Sequence, residues 1–145
     1  MPPRDAYHQA VVNALIKDGW TITSDPYIIS FGPRDVFVDI GAERLIAASR
    51  GTEKIAVEVK TFRGTSETRD FENALGQFLY YHSLIRRSEP DRRLYLAVSV
   101  DIYEIVFTEP GPKAAIEDWH VEVVSVDIDR EEISQWLTKP DISRS

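Results

Sequence analysis

Apolar residues recur along this chain at two periods, and each change of period marks an element. Over residues 4 to 18, RDAYHQAVVNALIKD, Ala10 or Val11 with Val12, Leu15 and Ile16 forms a helical stripe that Gly19 stops. Trp20 to Thr23 reads as a short strand with Asp25-Pro26 as its turn, and Tyr27 to Phe31 as another extended piece ended by Gly32-Pro33. Val36, Val38 and Ile40 alternate with Phe37 and Asp39, which predicts a strand over residues 34 to 41. Gly41-Ala42 is expected to be a bulge or bend. Residues 44 to 50 then continue as a strand, and Gly51-Thr52 turns the chain into KIAVEVK, the second arm of a hairpin.

The period changes again after residue 65. Phe71, Ala74, Leu75, Phe78, Leu79, His82 and Ile85 follow at spacings of three and four, predicting a helix over 66–87 that Ser66 caps and Glu89-Pro90 ends. LYLAVSV, residues 94 to 100, is almost continuously apolar, the pattern of a strand buried on both faces. A short helix over 101–108, a loop at Pro110-Gly111-Pro112, a strand over 121–127 and a last short helix over 130–137 complete the reading. The order predicts an α/β fold, a mixed central sheet flanked by helices. Residues 1–139 are expected to form a single domain and 140–145 a tail.

Within KIAVEVK, strand alternation turns Ile55, Val57 and Val59 to one face and Ala56, Glu58 and Lys60 to the other. A turn centred between Gly51 and Thr52 sets pairs summing to about 103, so that Glu58 faces Leu45 and Lys60 faces Glu43. Odd-numbered residues of the first arm, Glu43 and Asp39, then share the face of Glu58. Clustered carboxylates repel unless something neutralises them, and a hard divalent cation such as Mg²⁺ takes oxygen ligands. Such an ion activates water for phosphodiester hydrolysis, and a nearby lysine stabilises charge developing on the phosphate. E-x-K alone recurs by chance in many strands. Its place at the end of an apolar strand, after an acid-bearing strand and before a long helix, gives it weight. On that helix Gln77 and Tyr81, four residues apart, share a face distinct from the apolar stripe, and both can hydrogen-bond a lysine or a phosphate.

Composition narrows the chemistry. Cysteine is absent, which removes disulfides, thiolate nucleophiles and cysteine-type zinc sites. No apolar run is long enough for a membrane span and the N-terminus carries no apolar signal segment, so a cytoplasmic location is the expectation. The formal net charge of −7 argues against indiscriminate nucleic-acid binding. Most of that excess lies in EDWHVEVVSVDIDREE, residues 117 to 132, while Arg86, Arg87, Arg92 and Arg93 make a local basic cluster that also suits a solvated helix end.

The combination of Asp39, Glu58-Val59-Lys60 and Gln77-Phe78-Leu79-Tyr80-Tyr81 resembles the PD-(D/E)xK nuclease superfamily. The resemblance implies a restriction-endonuclease-like αβββαβ core, Mg²⁺ or Mn²⁺ at the acids, Lys60 as catalytic helper, and Gln77 and Tyr81 as supports or DNA contacts. The runs ALIKDGWTIT (14–23), DIGAERLIAA (39–48) and EKIAVEVKTF (53–62) are similar to the XisH family, the fdxN element excision controlling factors of cyanobacteria. That resemblance implies a part in programmed DNA rearrangement during heterocyst differentiation. It also implies partnership with DNA, with a site-specific recombinase and with the companion protein XisI.

This chain departs from the nuclease pattern at its first acid, which follows Val38 and not a proline. Asp39 suits the motif and Glu43 the simple hairpin register; Asp39 is preferred because a bend at Gly41-Ala42 shifts register. His8 on the first helix is a candidate further ligand, while His82 on the apolar stripe and His120 in the acidic stretch are not assigned to the site. Three classes of function follow: a metal-dependent DNA endonuclease, a catalytically inactive DNA- or protein-binding scaffold, or an interaction module using Tyr80, Tyr81 and Trp119. A homodimer is an expectation on chemical grounds, since cutting both strands needs two sites.

Overall fold

A computed structural model describes residues 4–46, 51–64 and 66–137. Helix α1 spans Arg4–Lys17 and ends at Gly19, whose φ of +99° suits a residue without a side chain. Strands follow at β1 (Thr21–Ser24), β2 (Tyr27–Ser30), β3 (Asp35–Val38), β4 (Ile40–Ile46) and β5 (Gly51–Val59). Helix α2 (Glu67–Ser88) leads to β6 (Arg92–Ser99). A helical turn α3 (Val100–Ile102) widens into a π-helical turn over Tyr103–Phe107, then come α4 (Pro110–Asp118), β7 (Val123–Asp127) and β8 (Glu132–Trp136).

Six strands form one mixed sheet in the order β1-β4-β5-β6-β7-β8, and β2 and β3 form a separate two-stranded ribbon. β5, β6 and β7 run parallel, and the strands outside them run antiparallel. α2 is the crossover that parallel pairing of β5 with β6 requires. Its start follows its sequence: Ser66 accepts a hydrogen bond from Arg69 N at 3.2 Å, the N-cap geometry. Its apolar stripe buries Phe71, Ala74, Phe78 and Ile85, each large side chain worth about 2 kcal/mol of burial. These meet Ala56, Leu94 and Leu96 on one face of the sheet, while Val11, Leu15 and Trp20 meet Ile55, Val57 and Tyr95 on the other. The alternation read in KIAVEVK is therefore observed, with Ala56 and Glu58 on the α2 side.

Several expectations are corrected. The run 34–41 is not one strand: β3 pairs with β2, β4 pairs with β1 and β5, and Asp39 sits at the break between them. The β4–β5 register pairs Ile40 with Val57 and Glu43 with Lys54, so Glu58 does not face Leu45 and Lys60 does not face Glu43. Gly51 and Thr52 lie within β5, and the expected strand over 47–50 falls outside the described residues. The irregularity near Gly41-Ala42 belongs to β1, where an extra residue lies between Ile22 and Ser24. Pro110-Gly111-Pro112 starts α4 and is not a loop, since a helix's first turn needs no donor from proline. Residues 132–136 are a strand and not a helix.

Candidate functional site

The break between β3 and β4 places Asp39 beside the last residues of β5. Asp39 N donates to Glu58 Oε1 at 3.3 Å, and Asp39 Oδ2 accepts from Val59 N at 2.8 Å. Each carboxylate is thus oriented by a backbone amide at or next to the other. Lys60 N continues the ladder by donating to Ala97 O at 2.9 Å. Its Nζ lies 3.3 Å from Glu58 Oε2 and donates to the side-chain oxygen of Gln77 on α2. Asp39, Glu58, Lys60 and Gln77 therefore converge at the carboxyl end of a central parallel strand, where α/β sheets place their ligand sites.

Glu58 is 6% exposed. Burial, then the negative charge of Asp39, pushes its carboxyl up to about 7, against the opposing pull of Lys60. Tyr81, one turn beyond Gln77, is half-buried; burial and then the charges of Glu58 and Asp39 raise its hydroxyl. Ionising Glu58 in this buried position beside Asp39 is costly, and a cation of higher charge than Lys60 would offset that cost.

The donor set fits such a cation in one specific way. Among the described residues no group of three or more His, Asp or Glu converges as a metal cage. Mg²⁺, however, is commonly held by one or two carboxylates, with waters and substrate phosphate oxygens completing its shell. Asp39 and Glu58 match that requirement.

A polar cleft of about 440 Å³ opens over these groups, lined by His8, Asp39, Lys60, Arg63, Asp70 and Gln77 among others. His8 reaches the cleft, but its Nε2 is bonded to Asp25 at 2.9 Å. Glu43 is not brought to the site: it pairs with Arg92 at 3.6 Å, four residues along β4 from Asp39. His82 stacks on Phe78 within α2. Tyr80 and Trp119 are exposed, at 56% and 62%, while Tyr81 packs against the core.

Among the cleft residues that escape the sequence reading are Arg63, Asp70 and Asn73. A signal existed for each. Arg63 lies three residues past Lys60, in the loop leaving the carboxyl end of β5, where ligands bind. Asn73 precedes Gln77 by four residues, and Asp70 by seven, which extends the polar face of α2 toward its N-terminus.

The chain is thus a mixed α/β protein with a polar site at the carboxyl end of its central parallel strand. The family model "XisH protein" matches residues 1–134, and the chain belongs to the XisH family. It is similar to the crystal structure of an XisH family protein from Nostoc punctiforme PCC 73102, at 43% identity and a TM-score of 0.84, over 92% of this chain and 100% of that one. It is equally similar to a fdxN element excision controlling factor protein from Anabaena variabilis, at 43% identity and a TM-score of 0.84, over 93% of this chain and 100% of that one. No curated protein matches the chain. Among the described residues no helix is long and apolar enough to cross a membrane.

Proposed function

We propose that this protein is a DNA-element excision factor with a PD-(D/E)xK-type, restriction-endonuclease-like site for metal-dependent phosphodiester hydrolysis. The observation that carries the reading is the convergence of Asp39, Glu58, Lys60 and Gln77 about one half-neutralised pair of acids. The excision role comes from its similarity to the Anabaena variabilis protein. Asp39 and Glu58 are the groups that would hold Mg²⁺ or Mn²⁺. When bound, such an ion supplies Lewis-acid charge and a more acidic water.

The chain's own residues supply the rest. The Val59 and Asp39 amides fix the two carboxylates, so that their orientation costs nothing when substrate arrives. Lys60, anchored by Gln77, presents its ammonium where charge grows on the phosphate oxygens. Tyr81, half-buried against the core, is near enough to Glu58 and Asp39 to feel their charge, and its apolar ring adds to the burial beside them. DNA, a site-specific recombinase and XisI are the proposed partners, with a homodimer as the form that would cut both strands.

The test is cleavage of plasmid and linear duplex DNA with Mg²⁺ or Mn²⁺, with and without XisI. Wild type should cut, Glu58→Ala should not, and Lys60→Ala should cut about a hundredfold or more slower. A wild type that leaves DNA intact under every condition would move the reading to the second one, an inactive scaffold for recombinase and XisI. One observation favours that alternative: the Lys60 ammonium lies 3.3 Å from Glu58 Oε2 and itself offsets part of that carboxylate's charge.

A further inference from the structure

Arg63 differs from the other cations around the sheet. Arg44 pairs with Glu53, Lys54 with Glu89, Lys60 with Glu58, Arg92 with Glu89 and Arg93 with Glu122. Among the described residues Arg63 has no carboxylate within ion-pairing distance. Its guanidinium instead lies 5.7 Å from the centroid of the Tyr7 ring, on α1, at the wall of the cleft that holds Asp39, Lys60 and Gln77. Tyr7 is buried, so the ring is a fixed platform.

The backbone carrying Arg63 is fixed on both sides. Phe62 is buried, adopts a φ of +53° and packs on Phe107 with ring centroids 5.6 Å apart. A left-handed phenylalanine costs about 1 kcal/mol, and the apolar contacts hold it there. Gly64 N donates to Asp70 Oδ2 at 2.8 Å. The loop thus presents an exposed, unpaired guanidinium at a set position beside the candidate hydrolytic groups. Planar guanidinium binds phosphate oxygens through two parallel hydrogen bonds.

We propose that Arg63 is a phosphate clamp for nucleic acid, gripping a backbone phosphate next to the one that faces Asp39, Glu58 and Lys60. This rests on the reading of the cleft as a DNA site, and it adds a condition. The lining carboxylates Asp39 and Asp70 offset Lys60 and Arg63, so the cleft gains a clear positive field only when a divalent cation joins the acids. DNA binding through Arg63 is therefore strengthened by such a cation.

The experiment is fluorescence anisotropy of a labelled DNA duplex with the full chain, in Ca²⁺ and in EDTA, over a series of salt concentrations. Arg63→Gln should weaken binding in Ca²⁺ about tenfold and lower the slope of log K against log salt by about 1, as loss of one phosphate contact requires. Arg63→Lys should keep the slope, and calorimetric Ca²⁺ affinity should be unchanged in both. Arg63→Gln with wild-type affinity and slope, or a wild type that binds no duplex in Ca²⁺, overturns the clamp. A protein that binds through Arg63 yet never cleaves loses the hydrolytic reading and keeps the clamp. One that cleaves with Arg63→Gln unaltered in Kd and KM does the reverse.

Discussion

Asp39 and Glu58 are cross-braced: the amide of Asp39 donates to Glu58, and one residue past Glu58 the amide of Val59 donates to Asp39. Bringing two carboxylates together this way has a cost that depends on pH. Glu58 holds its proton more tightly in the folded chain, at about 7 against an ordinary 4.5. Its contribution to stability is therefore fully present below pH 4.5 and is lost as pH rises through about 7, a loss of at most about 3 kcal/mol. Glu58→Gln should remove this limb and be more stable than wild type above pH 7. Urea midpoints for both chains across this range check it, and parallel curves would refute it.

A bound divalent cation must displace that proton. Its affinity should therefore rise with pH and level off above about 7, with proton release seen as a buffer-dependent heat in calorimetry. Lys60→Ala should separate binding from chemistry. The lysine competes for Glu58, so the variant should bind Mn²⁺ at least as tightly as wild type. Its cleavage rate should fall about 10²- to 10³-fold, the usual effect of losing one group that stabilises transition-state charge. Equal losses in both measurements would make Lys60 a structural partner of Glu58 alone.

What the chain disclosed about this site depended on distance along it. Alternation alone puts Glu58 and Lys60 on one face, and a four-residue helical step puts Gln77 with Tyr81; both hold because the second pair lies within one helix and the first spans only the end of β5, where the Lys60 amide still continues the ladder. The partner of Glu58 depends on where the β4–β5 turn closes. Placing it at Gly51-Thr52 gives a register in which Glu43 meets Lys60, whereas the observed pairs put Asp39 at the end of the ladder and send Glu43 to Arg92. Residues 130–137 mislead for a different reason. Ile133 and Trp136 are three apart, as on a helix, yet the outer edge of β7 needs backbone partners, and Trp136 packs on Tyr95 with centroids 4.9 Å apart. Local spacing is silent about both demands.

Gly64→Ala should distinguish a fixed loop from a merely close one. A Cβ there would overlap Asp70 Oδ1, so the carboxylate must swing away and release the Gly64 amide. The obstacle is the tip of one side chain, and stability should fall by no more than about 1 kcal/mol. The loss of a set position for Arg63 should show instead in DNA affinity, with a several-fold weakening in the anisotropy assay and an unchanged melting temperature to within a few degrees. A fall in melting temperature with unaltered affinity would make the Asp70 contact a stabilising one only.

Arg92 carries the opposite pH dependence, at the far end of the same strands. It is buried, donates to Ile55 O and Glu89 at 2.8 Å each, and lies 4.4 Å over the Tyr27 ring, so it joins the β2–β3 ribbon, the end of α2 and the sheet. The Arg92 hydrogen bonds hold the Glu89 carboxyl down at about 2, against the opposing effect of burial. A depressed carboxyl contributes stability above its unfolded value of 4.5 and loses it as pH falls through about 2. Glu89→Gln should therefore flatten the acid side of the stability curve, where Glu58→Gln flattens the side toward neutral pH. Arg92→Met at pH 7 should cost about 3 kcal/mol, because it strips Ile55 O and Glu43 of a buried cation and leaves Glu89 with Lys54 as its remaining ion-pair partner. The double variant Arg92→Met with Glu89→Gln should recover part of that loss, since it removes the charge that Arg92 no longer offsets. Urea denaturation of the four chains reads the coupling, and strictly additive losses would show that Glu89 draws nothing from Arg92.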